Sequence, residues 1–239
     1  MHSLGHTRSA HRANHLLHTP DTFIRAAWAG MSNATAIVHA SPAIGAGFTQ
    51  YTAELGADAC LPATTFQRFV YVLSGELEAG GATLGPGGYA YVPEGGDGTV
   101  RSTRGARAAV IEKPYEALHG TPAPVAFTGL EPEVEAQPVL GDPDLQVRSL
   151  VPADVSYDFA VNTLAYRPGA SLPMVEVHVM EHGLLFLEGG GIYRLGDDWY
   201  PVTEGDFIYM APFCPQWFGA IGKTPARYLI YKDWNRAAL

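Results

Sequence analysis

A carboxylate, two imidazoles and an amide that could bind a metal ion together occur in the second half of the sequence. Glu176 and His178 are separated by one residue, His182 follows shortly after them, and Gln216 lies further along the chain. Alternate side chains of a β-strand share one face, so a strand through this segment would point Glu176, His178 and His182 together. Gln216 lies in a turn-rich segment that leads into a later strand. We expect an antiparallel neighbour to carry its amide beside the other three groups.

One carboxylate, two imidazoles and one amide oxygen form a mixed oxygen and nitrogen ligand set. Such a set suits Mn, Fe or Ni in octahedral geometry with two open positions better than a closed, cysteine-rich zinc site. The open positions allow a substrate or a water molecule to bind. Single Glu and His pairs are common on protein surfaces. Here, however, the three residues fall on strand positions that face the same side, their neighbours are apolar, and the interior of a barrel is a natural pocket. These features favour a metal site. The ligands alone leave the identity of the metal open.

The elements that carry these residues belong to an internal repeat. Residues 69–75 align with residues 183–189, and residues 87–92 align with residues 205–210. Each copy has an apolar strand, a glycine turn, a second strand, and then a glycine-aromatic-apolar-tyrosine pattern. The second copy is slightly longer, and a turn at residues 196–199 absorbs the difference. We therefore predict an all-β fold of two tandem β-barrels.

The composition agrees with short strands and a cytoplasmic location. The 239 residues include 27 Gly and 18 Pro but only 16% charged residues, which favours strands joined by tight turns over long helices. A net charge of −9 without a basic stripe argues against nucleic acid and against an anionic membrane surface as partners. The sequence has no apolar segment that predicts a membrane span or a secretory signal. The two cysteines, Cys60 and Cys214, suit a reducing compartment.

The pattern of turns and prolines predicts four segments. Residues 1–18 hold five of the nine histidines and are expected to form a mobile N-terminal tail. Residues 19–122 form the N-terminal barrel, and residues 123–146 form an extended linker rich in Pro and Glu. Residues 147–239 form the C-terminal barrel, which carries the candidate metal site.

The first copy of the repeat lacks an equivalent ligand set. Alignment of the copies places Pro62, Thr64, Arg68 and Gly98 where the second copy has Glu176, His178, His182 and Gln216. None of these four is a comparable ligand. We therefore expect the N-terminal barrel to be free of metal and to serve packing and assembly.

The twin barrels and their motifs resemble a bicupin, a tandem of two cupin-type barrels of the jelly-roll kind. The metal motif is similar to that of a cupin with Glu in place of the usual first His. More narrowly, residues 176–183, 215–217 and 228–236 resemble the (S)-ureidoglycine aminohydrolases, as do residues 19–25. The resemblance covers nearly the whole chain from about Thr19, and it is strongest in the C-terminal half.

The resemblance implies an activity, a cofactor and a partner. Members of that family release ammonia from (S)-ureidoglycine and form (S)-ureidoglycolate in purine and allantoin catabolism, with Mn²⁺ as cofactor. The resemblance therefore implies one Mn²⁺ in the C-terminal barrel and a small-molecule ureide as substrate. Because bicupins often assemble, we also expect a homo-oligomer.

The resemblance also implies the roles of individual residues. The implied Mn²⁺ ligands are Glu176, His178, His182 and Gln216; the implied catalytic residues are Glu176, Tyr193, Tyr228 and Lys232; the substrate contacts are Glu176, Gln216, Tyr228 and Lys232. Strand alternation is compatible with this, since Tyr228 and Lys232 share one strand face and Tyr193 follows a glycine turn after the metal motif. Barrel tyrosines usually pack and a lysine at a strand end is usually solvated, so these roles depend on the resemblance.

Two other interpretations remain open. Another metal-cupin enzyme, such as a non-haem Fe dioxygenase or an isomerase, would use the same two-His-one-carboxylate set. Oxygen consumption and dependence on Fe would separate a dioxygenase from Mn²⁺-dependent release of ammonia. A non-catalytic small-molecule-binding bicupin is the third interpretation, and the charged Lys232 beside an open metal site argues against it.

Overall fold

The computed structural model describes residues 5–236, which divide between two compact units. The N-terminal barrel comprises residues 24–134 and 150–158, and the C-terminal barrel comprises the described residues up to 23, residues 135–149 and those from 159 onward. Within the described residues, regular structure consists of strands and three short 3₁₀ helices, so the predicted all-β bicupin fold is confirmed.

The strands follow the chain in three groups. Two strands at the start belong to the C-terminal barrel: β1 (Ala10–His11) and β2 (His15–His18). Nine strands form the N-terminal barrel: β3 (Ser32–Ala40), β4 (Thr49–Leu61), β5 (Gln67–Gly75), β6 (Leu77–Ala79), β7 (Ala82–Leu84), β8 (Gly88–Val92), β9 (Val100–Ser102), β10 (Ala106–Lys113) and β11 (Phe127–Leu130). Nine more complete the C-terminal barrel: β12 (Gln137–Val139), β13 (Asp142–Ser149), β14 (Phe159–Tyr166), β15 (His182–Glu188), β16 (Gly190–Leu195), β17 (Asp198–Thr203), β18 (Phe207–Met210), β19 (Gln216–Gly219) and β20 (Ala226–Asp233). The 3₁₀ helices are Pro20–Thr22, Pro42–Ile44 and Glu131–Glu133.

The N-terminal barrel is built from one nine-stranded sheet, in which β5 lies between β8 and β10. Alternate residues of these strands point into its core, as period-two alternation requires. Val70 and Val72 of β5 pack there with Ala108 and Val110 of β10, and all four are buried.

The C-terminal barrel contains an eight-stranded sheet in the order β1-β2-β18-β15-β20-β14-β13-β12 and a three-stranded sheet in the order β17-β16-β19. Its core is rich in aromatic side chains, including Phe186, Tyr193, Phe218 and Tyr228. Buried tyrosines need polar partners for their hydroxyls. The interior of this barrel is therefore both apolar and able to form hydrogen bonds.

The pairing registers match the sequence repeat. β5 pairs with β8 and β10, and β15 pairs in the same way with β18 and β20. Arg68 lies opposite Glu112 of β10, and His182 lies opposite Lys232 of β20. Arg68 and His182 are therefore equivalent positions, as the repeat predicts, and the cross-strand partner carries the opposite charge in the two barrels.

The structure differs from the predicted mobile tail. Residues 10–11 and 15–18 form strands, and β2 pairs antiparallel with β18. Leu17 is fully buried in the core of the C-terminal barrel. The Arg8 guanidinium makes two hydrogen bonds of 2.7 Å to the buried carboxylate of Asp206. Burial and this bidentate pair fix the segment, while residues 1–4 lie outside the described part of the chain.

The predicted linker also contains strands. Residues 123–146 include β11, β12 and the start of β13, and the unit boundary falls between residues 134 and 135. The chain then returns to the N-terminal barrel for residues 150–158. Pro138 lies in β12, the outermost strand of its sheet, where a proline removes no ladder hydrogen bond. Pro138 therefore marks the edge of a sheet and not an extended linker.

Cys60 of β4 and Cys214, which precedes β19, are both free thiols. Among the described residues, none of the helices has the length and apolar character needed to cross a membrane.

Candidate metal centre

The segment that carries Glu176 and His178 is an irregular loop, so the predicted strand is wrong. The backbone of Glu176 makes two hydrogen bonds with Gln216, of 2.9 and 3.0 Å. The amide of Phe213 donates to the carbonyl oxygen of His178 at 2.7 Å. These bonds hold the loop against the start of β19. Backbone tethers, and not strand alternation, therefore fix the first two candidate ligands.

Phe213 has an unusual backbone conformation in the turn that provides one of these tethers. Its φ is 62°, and the amide of Cys214 donates to the carbonyl of Ala211 at 3.1 Å. Pro212 at the second position and a positive φ at the third are typical of a type II turn. The left-handed conformation costs a non-glycine residue about 1 kcal/mol. This turn directs the Phe213 amide towards His178.

The four candidate ligands converge on Nε2 of His178. Nε2 of His182 lies 3.4 Å away, the amide nitrogen of Gln216 3.0 Å away, and Oε2 of Glu176 3.9 Å away. Nδ1 of His182 lies 3.2 Å from the backbone oxygen of Tyr231. An Nδ1–H that donates to a backbone carbonyl leaves the Nε2 lone pair for a metal, as in many metal sites.

Burial keeps His182 neutral. Burial, and after it the neighbouring His178, lowers the pKa of this imidazole to about 3. A neutral imidazole is the form that binds a metal ion. The Nε2 atoms of the two rings face each other, an arrangement that a cation between them would stabilise.

The donor set fits a divalent cation, although the side chains are not closed around one. Within residues 5–236, no three His, Cys, Asp or Glu side chains form a group that could hold a metal ion as they stand. The fourth donor is the amide of Gln216, whose oxygen would face His178 after a half turn of the amide. The side chain of Glu176 is 37% exposed and has room to move. The chemistry of these donors is that of an open site with oxygen and nitrogen ligands.

Two buried tyrosines predicted as site residues lie around these ligands. The hydroxyl of Tyr193, on β16, donates to the side-chain oxygen of Gln216 at 3.3 Å. The hydroxyl of Tyr228, on β20, lies 2.6 Å from the hydroxyl of Tyr166, on β14. Burial raises the pKa of all three phenols, and the charge of Glu176 adds to each shift. The three phenols therefore stay protonated at neutral pH.

Lys232 lies near the end of β20 and is partly buried. Burial lowers the pKa of its ammonium group, and the charge of Glu176 opposes that shift. In the described part of the chain, no hydrogen bond or ion pair joins the ammonium group of Lys232 to another residue, and its Nζ lies 4.2 Å from the centroid of the Trp234 ring. Its charge is therefore available to an anionic ligand.

Sequence reasoning missed Tyr166. In the pairing of β14 with β20, Leu164 lies opposite Tyr228, and Tyr166 lies two residues further along the same face. The alternation along β14 is a signal for an inward tyrosine, but only the pairing register shows which side chain it meets. Tyr166 is 1% exposed, and its hydroxyl is the polar group next to that of Tyr228.

Replacing Tyr166 with phenylalanine should slow catalysis without weakening substrate binding. The change removes one hydrogen bond to Tyr228, and we expect kcat to fall about tenfold while KM changes less than about twofold. The matched control is Tyr200→Phe in the same barrel, which removes hydrogen bonds of 3.0 Å to His15 and 3.1 Å to Asp198. Equal kcat values for the two variants would contradict a role for Tyr166 in positioning Tyr228.

In the N-terminal barrel, a guanidinium group links the positions that correspond to the candidate ligands. Nη1 of Arg68 donates to the carbonyl oxygen of Pro62 at 2.8 Å and also to that of Gly98. Its Nε and Nη2 donate to Oε1 of Glu112 at 2.9 and 2.6 Å. Arg68 is 3% exposed. The guanidinium group of Arg68 thus lies at the position in this barrel that corresponds to the candidate metal site of the C-terminal barrel.

Comparison with known proteins covers both barrels. A family model described as Cupin domain matches residues 162–231. The chain is 40% identical to the probable (S)-ureidoglycine aminohydrolase of Oryza sativa subsp. japonica, over 98% of this chain and 78% of that protein. It is 32% identical to the (S)-ureidoglycine aminohydrolase of Escherichia coli (strain K12), over 93% of this chain and 89% of that protein. The crystal structure of the putative glyoxylate induced protein from Pseudomonas aeruginosa superposes with a TM-score of 0.89 at 31% identity, covering 100% of this chain and 95% of that one.

Proposed function

Because this chain belongs to the (S)-ureidoglycine aminohydrolase family, we propose that it hydrolyses (S)-ureidoglycine. Water adds its oxygen to the central carbon of the substrate, and the bond from that carbon to the amino nitrogen breaks. The products are (S)-ureidoglycolate and ammonia. The observation that carries the proposal is the convergence of Glu176, His178, His182 and Gln216 at the barrel end that also holds Lys232.

Glu176, His178, His182 and Gln216 would hold one Mn²⁺ ion. A carboxylate, an amide and two imidazoles are ligands that this ion accepts. When bound, Mn²⁺ supplies Lewis-acid polarisation of the substrate. The orientation of His182 by the Tyr231 carbonyl supports this assignment, because metal-bound histidines usually donate their other N–H.

Lys232 would bind the carboxylate of the substrate. A compact ammonium group suits a carboxylate, and partial burial strengthens the attraction between the two charges. Within residues 5–236, Lys232 has no ion pair that the substrate would have to displace. Binding of the carboxylate there would orient the central carbon with its amino and ureido groups.

Tyr193 and Tyr228 would place their hydroxyl groups beside the reacting carbon. Both are almost completely buried, at 1% and 2% exposure, and both keep their protons at neutral pH. Their hydroxyls can orient the entering water and the leaving amino group in a space that excludes bulk solvent. Tyr166 holds the hydroxyl of Tyr228 in place.

The alternatives use the same ligand set but explain less of the site. A non-haem Fe dioxygenase or an isomerase would need the two histidines and the carboxylate. A binding bicupin without catalysis would need no proton donors beside the ligands. The aminohydrolase accounts for Lys232, for the buried phenols and for the family to which the chain belongs.

Metal removal and reloading test the proposal. The protein is stripped with a chelator and reloaded separately with Mn²⁺, Fe²⁺ or Zn²⁺. Ammonia release from (S)-ureidoglycine formed in situ is then followed, with its spontaneous decay subtracted. We expect release to be fastest with Mn²⁺ and to return to the spontaneous rate in the stripped protein. No acceleration with any metal would overturn the aminohydrolase, and oxygen uptake with Fe²⁺ would favour the dioxygenase.

The cytoplasmic location and the homo-oligomeric assembly stay predictions from the sequence. So does the expectation that neither nucleic acid nor a membrane surface is a partner.

A further inference from the structure

The indole of Trp234 lies against the ammonium group of Lys232. The distance of 4.2 Å from Nζ to the ring centroid is well within the range of a cation–π contact. Burial of Lys232 lowers the pKa of its ammonium group, so the charge is partly desolvated. Cation–π contacts are strongest when the cation has lost part of its water.

The strand end that carries this pair is fixed to the segment of the candidate ligands. The carboxylate of Asp233 accepts a hydrogen bond of 2.6 Å from the amide of Glu181, the residue before His182. Lys232 itself lies opposite His182 in the pairing of β15 with β20. Trp234 follows at once and is 37% exposed, so one part of its ring meets the ammonium and another part meets solvent.

An aromatic ring restrains a lysine without neutralising it. A carboxylate partner would compete with the carboxylate of a substrate for the same ammonium group. The face of an indole attracts the cation but leaves its hydrogen-bond donors free. A flexible four-carbon side chain also loses less freedom on binding when it is already held.

We propose that Trp234 is a positioning residue that holds the Lys232 ammonium ready for the carboxylate of the substrate. This inference rests on the proposed function, because it assumes that Lys232 meets a carboxylate. Trp234 acts through Lys232 and takes no part in the bond changes. It therefore affects KM more than kcat.

Three substitutions test the contact. Trp234→Leu keeps an apolar side chain but removes the ring, and we expect KM to rise about tenfold while kcat changes less than about threefold. Trp234→Phe keeps a weaker ring and should give an intermediate KM. Trp199→Leu is the matched control, because Trp199 is also exposed in this barrel and carries Arg194 at 5.9 Å from its ring. The control should leave KM unchanged, and the bound metal should be equal in all three variants.

A double-mutant cycle separates positioning from a general structural effect. In a Lys232→Met background, Trp234→Leu should raise KM no further, because the ammonium that the ring holds is absent. An equal rise in both backgrounds would overturn the proposal. So would a KM for Trp234→Leu equal to that of the parent protein when Lys232→Met alone is impaired.

Direct binding of a small carboxylate keeps the test independent of turnover. Glycolate is titrated into the Mn²⁺-loaded protein and its variants by calorimetry. We expect Trp234→Leu to weaken glycolate binding by about the same factor as it raises KM. If the parent protein releases no ammonia yet Trp234→Leu still weakens glycolate binding, the proposed function fails and the positioning role stands. Equal glycolate affinity in the parent and Trp234→Leu would overturn the positioning role.

Discussion

Replacing Glu176 with alanine should abolish metal binding and catalysis together. Glu176 is the one anionic group among the four candidate ligands, so the variant would present a divalent ion with three neutral donors. Loss of a residue that merely orients a ligand costs roughly 10- to 100-fold in metal affinity or activity. We expect loss of the ligand itself to lower kcat/KM by more than about 100-fold. The measurements are metal content per chain and ammonia release.

Two further variants sharpen this prediction. Glu176→Gln preserves shape but removes the charge, and it should lose metal almost as fully as the alanine variant. Glu188→Ala removes a carboxylate of the same barrel that pairs with Arg227 at 3.6 Å, and it should retain both metal and activity. Full metal content and full activity in Glu176→Gln would show that the charge of Glu176 is not needed.

Replacing Arg68 with methionine should destabilise the N-terminal barrel by about 3–5 kcal/mol, the usual cost of breaking a buried ion pair. The change would leave the Glu112 carboxylate, with 11% of its side chain exposed, with the hydroxyl of Tyr51 at 2.8 Å as its remaining hydrogen-bond donor among the described residues. The carbonyl oxygens of Pro62 and Gly98 would lose their shared donor as well. Hydrogen exchange measured on peptides from β5 would report the loss in this barrel, with peptides from β15 as the reference.

The matched control for Arg68 is an exposed arginine of the same sheet. Arg107 lies 3.8 Å from Glu54, and its side chain is 53% exposed. Exposed pairs of this kind contribute about 0–1 kcal/mol, so Arg107→Met should change exchange in β5 very little. Similar exchange in the two variants would mean that the buried pair of Arg68 and Glu112 contributes no more than a surface pair.

The repeat and the strand alternation were sufficient to predict the fold. Both depend on local patterns, and the register of β5 and β15 follows the offset read from the sequence. The tail and the first strand of the linker, β11, were mispredicted because their partners are distant. β2 has the short sequence His15–His18, and its pairing with β18 leaves no mark on that sequence. Likewise, β11 pairs with β8, which lies far before it in the chain.

The site residues were predictable as types but not in their geometry. Alternation suggested a strand from Glu176 to His182, whereas tethers to Gln216 and Phe213 hold an irregular loop. An irregular loop can direct two side chains to one point more freely than a pleated strand can. Periodicity in the sequence does not predict the side-chain directions of such a loop. Tyr166 was missed for the same reason, since its role depends on a cross-strand register.

The pairing of β2 with β18 sets an order for biosynthesis. Leu17 leaves the ribosome before its partner in β18, which follows about 190 residues later; at 5–20 residues per second this is a delay of roughly 10–40 s. During that time the residues of the N-terminal barrel are all made, while β2 can pair with β1 but not yet with β18. The pairing of β2 with β18 is therefore among the last to form, and the C-terminal barrel is complete only after β18 has been made.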